Sequence, residues 1–345
     1  MSEVSCGCGG GSLVQLTRIE KQTGPAPVLS TVITWRDVVG GWRVRWGMGR
    51  MRYLIAPGLY RVGAPDKQSP VLVTANYKLT VDAVRRELAG LSVWLLVLDT
   101  KGVNVWCAAG KGTFGTAELV RRVEAVGLAA IVEHRNLIVP QLGATGVAAH
   151  EVKHATGFSV RYGPVRARDI RAYLAAGMKA TPEMRRIAFG WKDRLVLAPL
   201  EVVGARKLAA VILAALTVLD VLRYRSLSWH VAADFAPFLA AMFAGGVLTP
   251  LLLPWLPSRV FAIKGAVAGA VCVAAALIAL PGGAVATAGT ALLSIAIASY
   301  MAMMFTGATT FTNLAGARLE VRRALPPIIV AASLGAVLRV AAAFV

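Results

Sequence analysis

From residue 205 onward this chain leaves little choice of environment. Five apolar stretches, at about 206–223, 234–253, 260–280, 284–305 and 325–345, each come near the ~20 residues that a helix needs to cross a bilayer. In hydrocarbon, a segment must satisfy its own backbone polar groups, so an isolated apolar stretch of this length reads as a helix. The first stretch is short, and the second is broken by Gly245, Gly246 and Pro250. The apolar content of the whole chain is 57%, above the roughly 45–50% usual for globular domains. The excess lies in this region, while residues 1–200 have ordinary composition.

Charge orients the spans. Residues 1–25 lack the apolar core of a signal peptide, so the N-terminus is expected to stay inside. The inner flanks then carry Arg206, Lys207, Arg259, Lys264, Arg318, Arg322 and Arg323. The outer flanks carry Arg223, Arg225 and Arg339, the last able to snorkel outward. This asymmetry predicts a multi-pass protein of the cell inner membrane, with a cytoplasmic soluble domain and an external C-terminus. The net charge is +19, and the first 200 residues hold 27 basic against 14 acidic side chains. Those cations are scattered, with no Arg-rich arm or nucleic-acid motif, so membrane lipid or an acidic redox partner explains them better than nucleic acid. No paired acidic or His-rich set lies mid-membrane, which argues against a proton-coupled transporter. A transporter with a regulatory soluble domain remains the reading from another class. The four cysteines, Cys6, Cys8, Cys107 and Cys272, form no disulfide framework and read as reduced thiols, Cys272 within a span.

Residues 70–200 alternate. Val71-Leu72-Val73, Val93–Leu98, Leu137-Ile138-Val139, Phe158-Ser159-Val160 and Leu195-Val196-Leu197 are strand candidates. Helical spacing separates them at 81–88, 116–126 (with Arg121, Arg122 and Glu124 toward water), 147–156 and 166–176. Strand and helix in alternation predict a wound, mostly parallel α/β sheet. Val93–Leu98 is apolar without a break, as in a strand covered on both faces. Ligands of such sheets sit beyond the carboxyl ends of the strands, which directs attention to the segment after Leu98. Residues 1–30 are Gly- and Ser-rich at the start. Residues 31–69, with Trp35, Trp42 and Trp46 among arginines, read as short strands or a packing extension.

The informative segment is Gly102-Val103-Asn104-Val105-Trp106-Cys107-Ala108-Ala109-Gly110-Lys111-Gly112-Thr113-Phe114-Gly115. Asn104 is a good N-cap and Gly110 a good stop, framing a helix of under two turns. Such a helix needs packing partners to exist. It offers one thiol beside Ala108, Ala109 and Gly110, small side chains that let a broad flat ligand approach. Lys111 and the helix start favour the thiolate, a soft ligand suited to a transition metal. Equally, free cysteine is commonly a small buried hydrophobe, and these residues alone do not choose between the two readings.

Asn104-Val105-Trp106-Cys107-Ala108-Ala109-Gly110-Lys111 resembles the cap-helix signature of the HgcA family, the corrinoid proteins of microbial mercury methylation. That family is similar to the corrinoid iron–sulfur protein of acetyl-CoA synthesis. The resemblance extends through Val73–Lys78, Pro140–Ala144, Gly146–His150 and Tyr162–Arg166 and covers about residues 50–345. It implies an N-terminal extension over 1–49 and a Rossmann-like corrinoid-binding domain over 50–200. An all-α five-helix transmembrane domain would occupy 201–345. It further implies a cobalamin-type corrinoid held base-off, with Cys107 as the lower axial cobalt ligand and catalytic centre. Asn104, Val105, Trp106, Ala108, Ala109, Gly110 and Lys111 would line the cofactor's lower face, with Thr74, Asn76, Gln141 and Gly143 in segments near it. The activity implied is methyl transfer from a folate-linked C1 donor to Hg(II), with a ferredoxin-like [4Fe–4S] protein as reductant. A thiolate opposite the methyl group stabilises oxidised cobalt and eases departure of methyl as a carbanion equivalent. The alternative acceptor is that of acetyl-CoA-type carbon metabolism.

Other signals compete. His150-Glu151-Val152-Lys153-His154 fits the H-E-x-x-H zinc-protease helix, but only Asp169 and Glu183 follow as acidic third ligands within 30 residues. No Asp-x-His-x-x-Gly cobalt-ligand motif occurs. Cys6 and Cys8 form a C-x-C that either delivers Hg(II) to cobalt or is an incidental pair in a frayed terminus. Lys111-Gly112-Thr113 does not satisfy a phosphate loop. Trp35, Trp42, Trp46 and Trp191 read as packing or interfacial residues. Thr309–Asn313 is an inner loop facing either the soluble domain or a partner.

Overall fold

A computed structural model describes residues 24–226, 228–280, 282–312 and 314–344. They form two compact units, one of residues 24–44 and 48–187, the other of 45–47 and 188–344.

The first unit runs α1 (Trp35–Arg45), β1 (Gly58–Val62), β2 (Val71–Ala75), α2 (Lys78–Glu87), β3 (Val93–Leu98), α3 (Val105–Lys111), α4 (Thr116–Ala125), α5 (Leu128–Ile131), β4 (Asn136–Val139), α6 (Ala149–Thr156), β5 (Ser159–Tyr162), α7 (Ile170–Ala175) and α8 (Pro182–Arg185). The sheet order is β1-β3-β2-β4-β5. β2, β3, β4 and β5 are parallel, and β1 joins the edge of β3 antiparallel, pairing Gly58 with Val97. The expected parallel α/β sheet is therefore present. Residues 31–69 hold a helix and the edge strand β1 where short strands or an extension were expected.

Alternation along each strand divides the core. Val71, Val73 and Ala75 of β2, with Leu96 and Leu98 of β3 and Leu137 and Val139 of β4, meet α3–α6 and Phe114. Leu72, Val93, Leu95, Val97 and Ile138 face the other way, toward α2 and α7. A sheet buried on both faces needs apolar side chains at every position, which is why β3 is an unbroken apolar run. From β2 the chain moves out to β3, then returns past β2 to β4. The winding direction reverses at β2, and such reversals open a crevice at the strands' carboxyl ends.

α1 is held to this unit by charge. Its Asp37 accepts from Arg85 of α2 at 2.7 Å and from Lys78, while Arg85 also reaches Asp82 at 2.7 Å. Burial opposes ionisation of Asp37, but hydrogen bonds from Lys78, Thr34 and Arg85 outweigh it and hold the carboxyl well below its usual range. Because the folded-state pKa is depressed, this stabilisation is complete above the unfolded carboxylate's value of about 3.9 and is lost as pH falls below it. Asp37→Ala leaves Lys78 and Arg85 to share Asp82 and, by removing charge-assisted hydrogen bonds, is expected to cost about 2 kcal/mol at neutral pH. Amide exchange in β2 and β3 should quicken about thirtyfold, a difference that shrinks toward pH 2.

The second unit contains α9 (Trp191–Leu195), α10 (Ala198–Tyr224), α11 (His230–Phe243), a π-helical turn at Ala244–Leu248, α12 (Thr249–Leu251), α13 (Phe261–Ala279), α14 (Ala284–Met304) and α15 (Leu314–Ala341). Among the described residues, five helical segments are long and apolar enough to cross a membrane. Leu195-Val196-Leu197, expected as a strand, is the approach to α10, since an apolar triplet feeding a span continues its helix. α15 begins at Leu314, ahead of Pro326 and Pro327, rather than after them. Small residues set the helix spacing. A Cβ on Gly289 would lie 2.9 Å from the Gly335 carbonyl oxygen, and one on Gly335 would lie 2.8 Å from that of Gly289. Lys264, expected at an inner flank, is buried and caps the carbonyls of Leu253 and Leu256. Arg339, expected to reach outward, is also buried and pairs with Asp234 of α11.

Candidate functional site

The loop from Asp99 to Asn104 leaves β3 and delivers α3, and it is fixed from two sides. Asn76, at the end of β2, is 1% exposed. Its side-chain oxygen accepts from the backbone N–H groups of Thr100 and Gly102, both at 3.1 Å, and its amide nitrogen donates to Asp99 at 3.1 Å. From the other side Glu118 of α4 accepts from the Asp99 N–H at 2.9 Å. Glu118 is itself held by Arg122 and Arg121, both at 2.7 Å. Arg122, expected toward water, is buried in this contact. Burial alone would raise the pKa of Asp99, but hydrogen bonds from the Lys101 side chain and backbone bring it below the ordinary value.

α3 begins where expected: the Asn104 side-chain oxygen accepts from the Cys107 N–H at 2.9 Å. It ends later than expected. Gly110 remains helical, and Gly112, with φ +79°, is the left-handed stop. The seven-residue helix is held by the surface behind it. Val105, Ala108 and Ala109 face the core, so the small size of the two alanines serves close packing there rather than ligand approach. Gly146 passes so near that a Cβ on it would collide with the Phe114 carbonyl and lie 3.1 Å from the Cα of Ala109. A Cβ on Gly143 would sit 2.5 Å from the Phe114 ring. Gln141 accepts from Arg185 at 2.8 Å. Gly143 thus packs against Phe114, and Gln141 is paired with Arg185 of α8.

Away from the core α3 offers Trp106, half-buried Cys107, exposed Gly110 and exposed Lys111. Nothing lies within 4 Å of a Cβ built on Gly110. Beside this helix a cavity of about 420 Å³ opens at the carboxyl ends of β2 and β4. Its walls are Asn104, Val105 and Trp106 of the α3 start, Leu79, Ala83 and Val84 of α2, Pro140 and Leu142 after β4, and Gly163–Val165 after β5. Thr74 also lines it, 1% exposed, with a buried hydroxyl oxygen that has no hydrogen-bond partner among the described residues. A buried polar atom left this way costs free energy unless a ligand or water completes it.

Of the expected site residues, Thr74, Asn104, Val105 and Trp106 line the cavity. Cys107, Gly110 and Lys111 lie on the adjoining surface of α3, Asn76, Ala108, Ala109 and Gly143 stand behind it, and Gln141 lies between the cavity-lining Pro140 and Leu142. The contribution of α2 is not visible in the sequence. Its helical spacing is plain, but spacing does not say which strip faces a ligand. Cys6 and Cys8 lie outside the described residues. His150 and His154 are exposed, and no group of three or more His, Cys, Asp or Glu side chains among the described residues is arranged to hold a metal ion. Asn76→Ala should leave the Thr100 and Gly102 amides without their acceptor, at a cost of about 1–3 kcal/mol. Faster amide exchange confined to 99–104 would register it, and unchanged exchange would show that the loop is held some other way.

Residues 52–174 match the family described as the CO dehydrogenase/acetyl-CoA synthase delta subunit. The chain is similar to the acetyl-CoA decarbonylase/synthase complex subunit gamma of Methanopyrus kandleri, 40% identical over 123 residues, which cover 35% of this chain and 26% of that protein. It is also similar to the corrinoid/iron–sulfur protein large subunit of Moorella thermoacetica, 32% identical over 122 residues, or 35% of this chain and 27% of that one. The chain therefore spans about a quarter of the length of these curated relatives. The matched segment takes in every residue of the cavity wall and of α3, and it leaves the five long apolar helices outside.

Proposed function

We propose that this chain is a membrane-anchored corrinoid protein that carries a methyl group from a C1 donor to Hg(II), with Cys107 as the lower ligand of cobalt. The observation that carries the reading is the pairing of a short, heavily supported helix presenting Cys107 and Gly110 with an adjacent apolar cavity containing the unpartnered Thr74 hydroxyl. The similarity to a corrinoid/iron–sulfur protein supports the cofactor. The strand order, with its reversal at β2, supports a Rossmann-like description of the domain, assigned to about residues 50–200. The transmembrane domain then begins at about 201.

When bound, a corrinoid supplies a cobalt centre that takes up and releases a methyl group. The residues of α3 and the cavity fit such a group. Cys107 offers a thiolate from the outer surface of α3, and the absent side chain of Gly110 leaves room for a flat ring close to the helix. The cavity is too small for a whole corrinoid and suits one arm of it. If the thiolate takes the place of the cofactor's own base, that displaced arm needs a nearby apolar slot. Asn104, Val105 and Trp106 form its mouth, and Thr74 provides a hydrogen-bonding group inside. Asn76, Glu118 and Gly143 act as positioning residues behind the helix, Gln141 stands between the cavity-lining Pro140 and Leu142, and Lys111 stands at the exposed end of α3.

With the group bound, Cys107 would be the residue donating to the metal; the acceptor would be Hg(II), the methyl source methyl-folate or a donor protein, and the reductant a ferredoxin-like [4Fe–4S] protein. The relatives' names favour a second acceptor, in acetyl-CoA-type C1 metabolism; the five long helices and the thiol on α3 favour the first. The excess of cations on the inner flanks supports an inner-membrane location with the α/β unit in the cytoplasm.

Cys107→Ala should remove a sulfur-to-cobalt band from the absorption spectrum of the purified holoprotein and abolish methylmercury formation in cells. Retained methylation would reject the ligand role. Thr74→Val should weaken corrinoid retention about five- to tenfold, the value of one hydrogen bond of ~1–1.5 kcal/mol, without destabilising the cofactor-free chain. Equal retention would remove Thr74 from the binding site.

A further inference from the structure

α1 wears its apolar face outward. Asp37, Gly40, Gly41 and Val44, spaced three and four apart, seat the helix on its unit. At Gly40 a Cβ would come within 2.5 Å of the Tyr53 hydroxyl, so this seat is tight. On the opposite side Trp35, Val38, Val39 and Trp42 are 70%, 51%, 47% and 61% exposed. Arg36 and Arg43 are exposed beside them, with the Arg36 guanidinium 5.6 Å from the Trp35 ring. Asp37, the acidic residue of α1, is consumed by its ion pairs. Soluble surfaces rarely carry such a patch without something to cover it.

Two observations say what covers it. The first is the chemistry of the face, with tryptophans flanked by arginines and no free carboxylate. This combination suits the headgroup layer of an anionic bilayer, where indole rings settle at the interface and cations meet acidic lipids. The second is continuity. Arg45–Gly47, the end and extension of α1, belongs to the unit that contains the five long apolar helices. There a Cβ on Gly47 would lie 3.5 Å from Val203 and 3.7 Å from Leu200, at the start of α10. The same unit exposes Trp46, Trp191 and Trp255, with cations of Lys192 and Arg194 over the latter two rings. That is the composition of an interfacial belt.

We propose that α1 is an interfacial helix, lying in the headgroup layer of an anionic membrane with Trp35, Val38, Val39 and Trp42 against lipid and Arg36 and Arg43 on acidic headgroups. This assignment stands apart from the cofactor reading and rests on the apolar spans. The test uses the full chain in nanodiscs. Trp35 and Trp42 are two of the six exposed tryptophans among the described residues. Trp35→Phe/Trp42→Phe should therefore remove about a third of the fluorescence quenched by lipids brominated near the headgroup. An unchanged quenchable fraction overturns the proposal. In discs containing phosphatidylglycerol, residues 35–45 should exchange their amides about tenfold more slowly than in phosphatidylcholine alone. The exposed charge reversals Arg36→Glu and Arg43→Glu, made together, should abolish that difference. Slow exchange that ignores both lipid and charge means the face is covered by protein, a second copy or another segment of this chain, and also overturns it.

Discussion

The candidate site depends on one buried side-chain amide. Asn76 lies at the tip of β2 and spends its hydrogen-bonding capacity on the backbone and Asp99 of the loop after β3. A helix of seven residues has no stability of its own, so its position is inherited from the loop that launches it and the surface behind it. The Asn76 clamp and the Glu118 contact set the launch point. Ala108, Ala109, Gly143 and Gly146 allow the surface behind to come close. The thiol of Cys107 is thus carried on a part of the chain braced from two sides, as its proposed role as a metal ligand requires.

The parts of the fold that are legible in the sequence are those where a single physical requirement acts on every residue. β3 is buried on both faces and reads as an unbroken apolar run, and the later spans must be apolar along their length. Where two requirements overlap, the sequence misleads. Leu195-Val196-Leu197 satisfies a buried strand and the entry to a membrane helix equally well, and only the long apolar run beyond it decides. α1 is obscured because its apolar residues point away from the unit, so they give no hint of a helix seated through Asp37, two glycines and Val44.

The site shows the same division. Asn104 is recognisable as a cap because its chemistry is local. The stop cannot be placed from sequence, since Gly110 and Gly112 are both competent and the choice depends on how far the core supports the helix. Ala108 and Ala109 were expected to make room for a ligand, yet they make room for Phe114 and Gly146. Lys264 and Arg339 show a further limit: a cation near a span end reads as a flank marker, whereas each is itself buried and bonded to an acceptor on another segment. Asn76 stands out through resemblance, but its role as a brace needs three-dimensional partners.

α2 has both its sides in use. Lys78 and Arg85, themselves paired with Asp82, grip Asp37, while Leu79, Ala83 and Val84 wall the cavity. A ten-residue helix so engaged has no spare direction in which to roll. Widening the cavity by turning α2 would strain the grip on α1, and a pull on α1 would narrow or open the wall. The wall of the pocket and the seat of the tryptophan-bearing helix are therefore built on two sides of the same short rod.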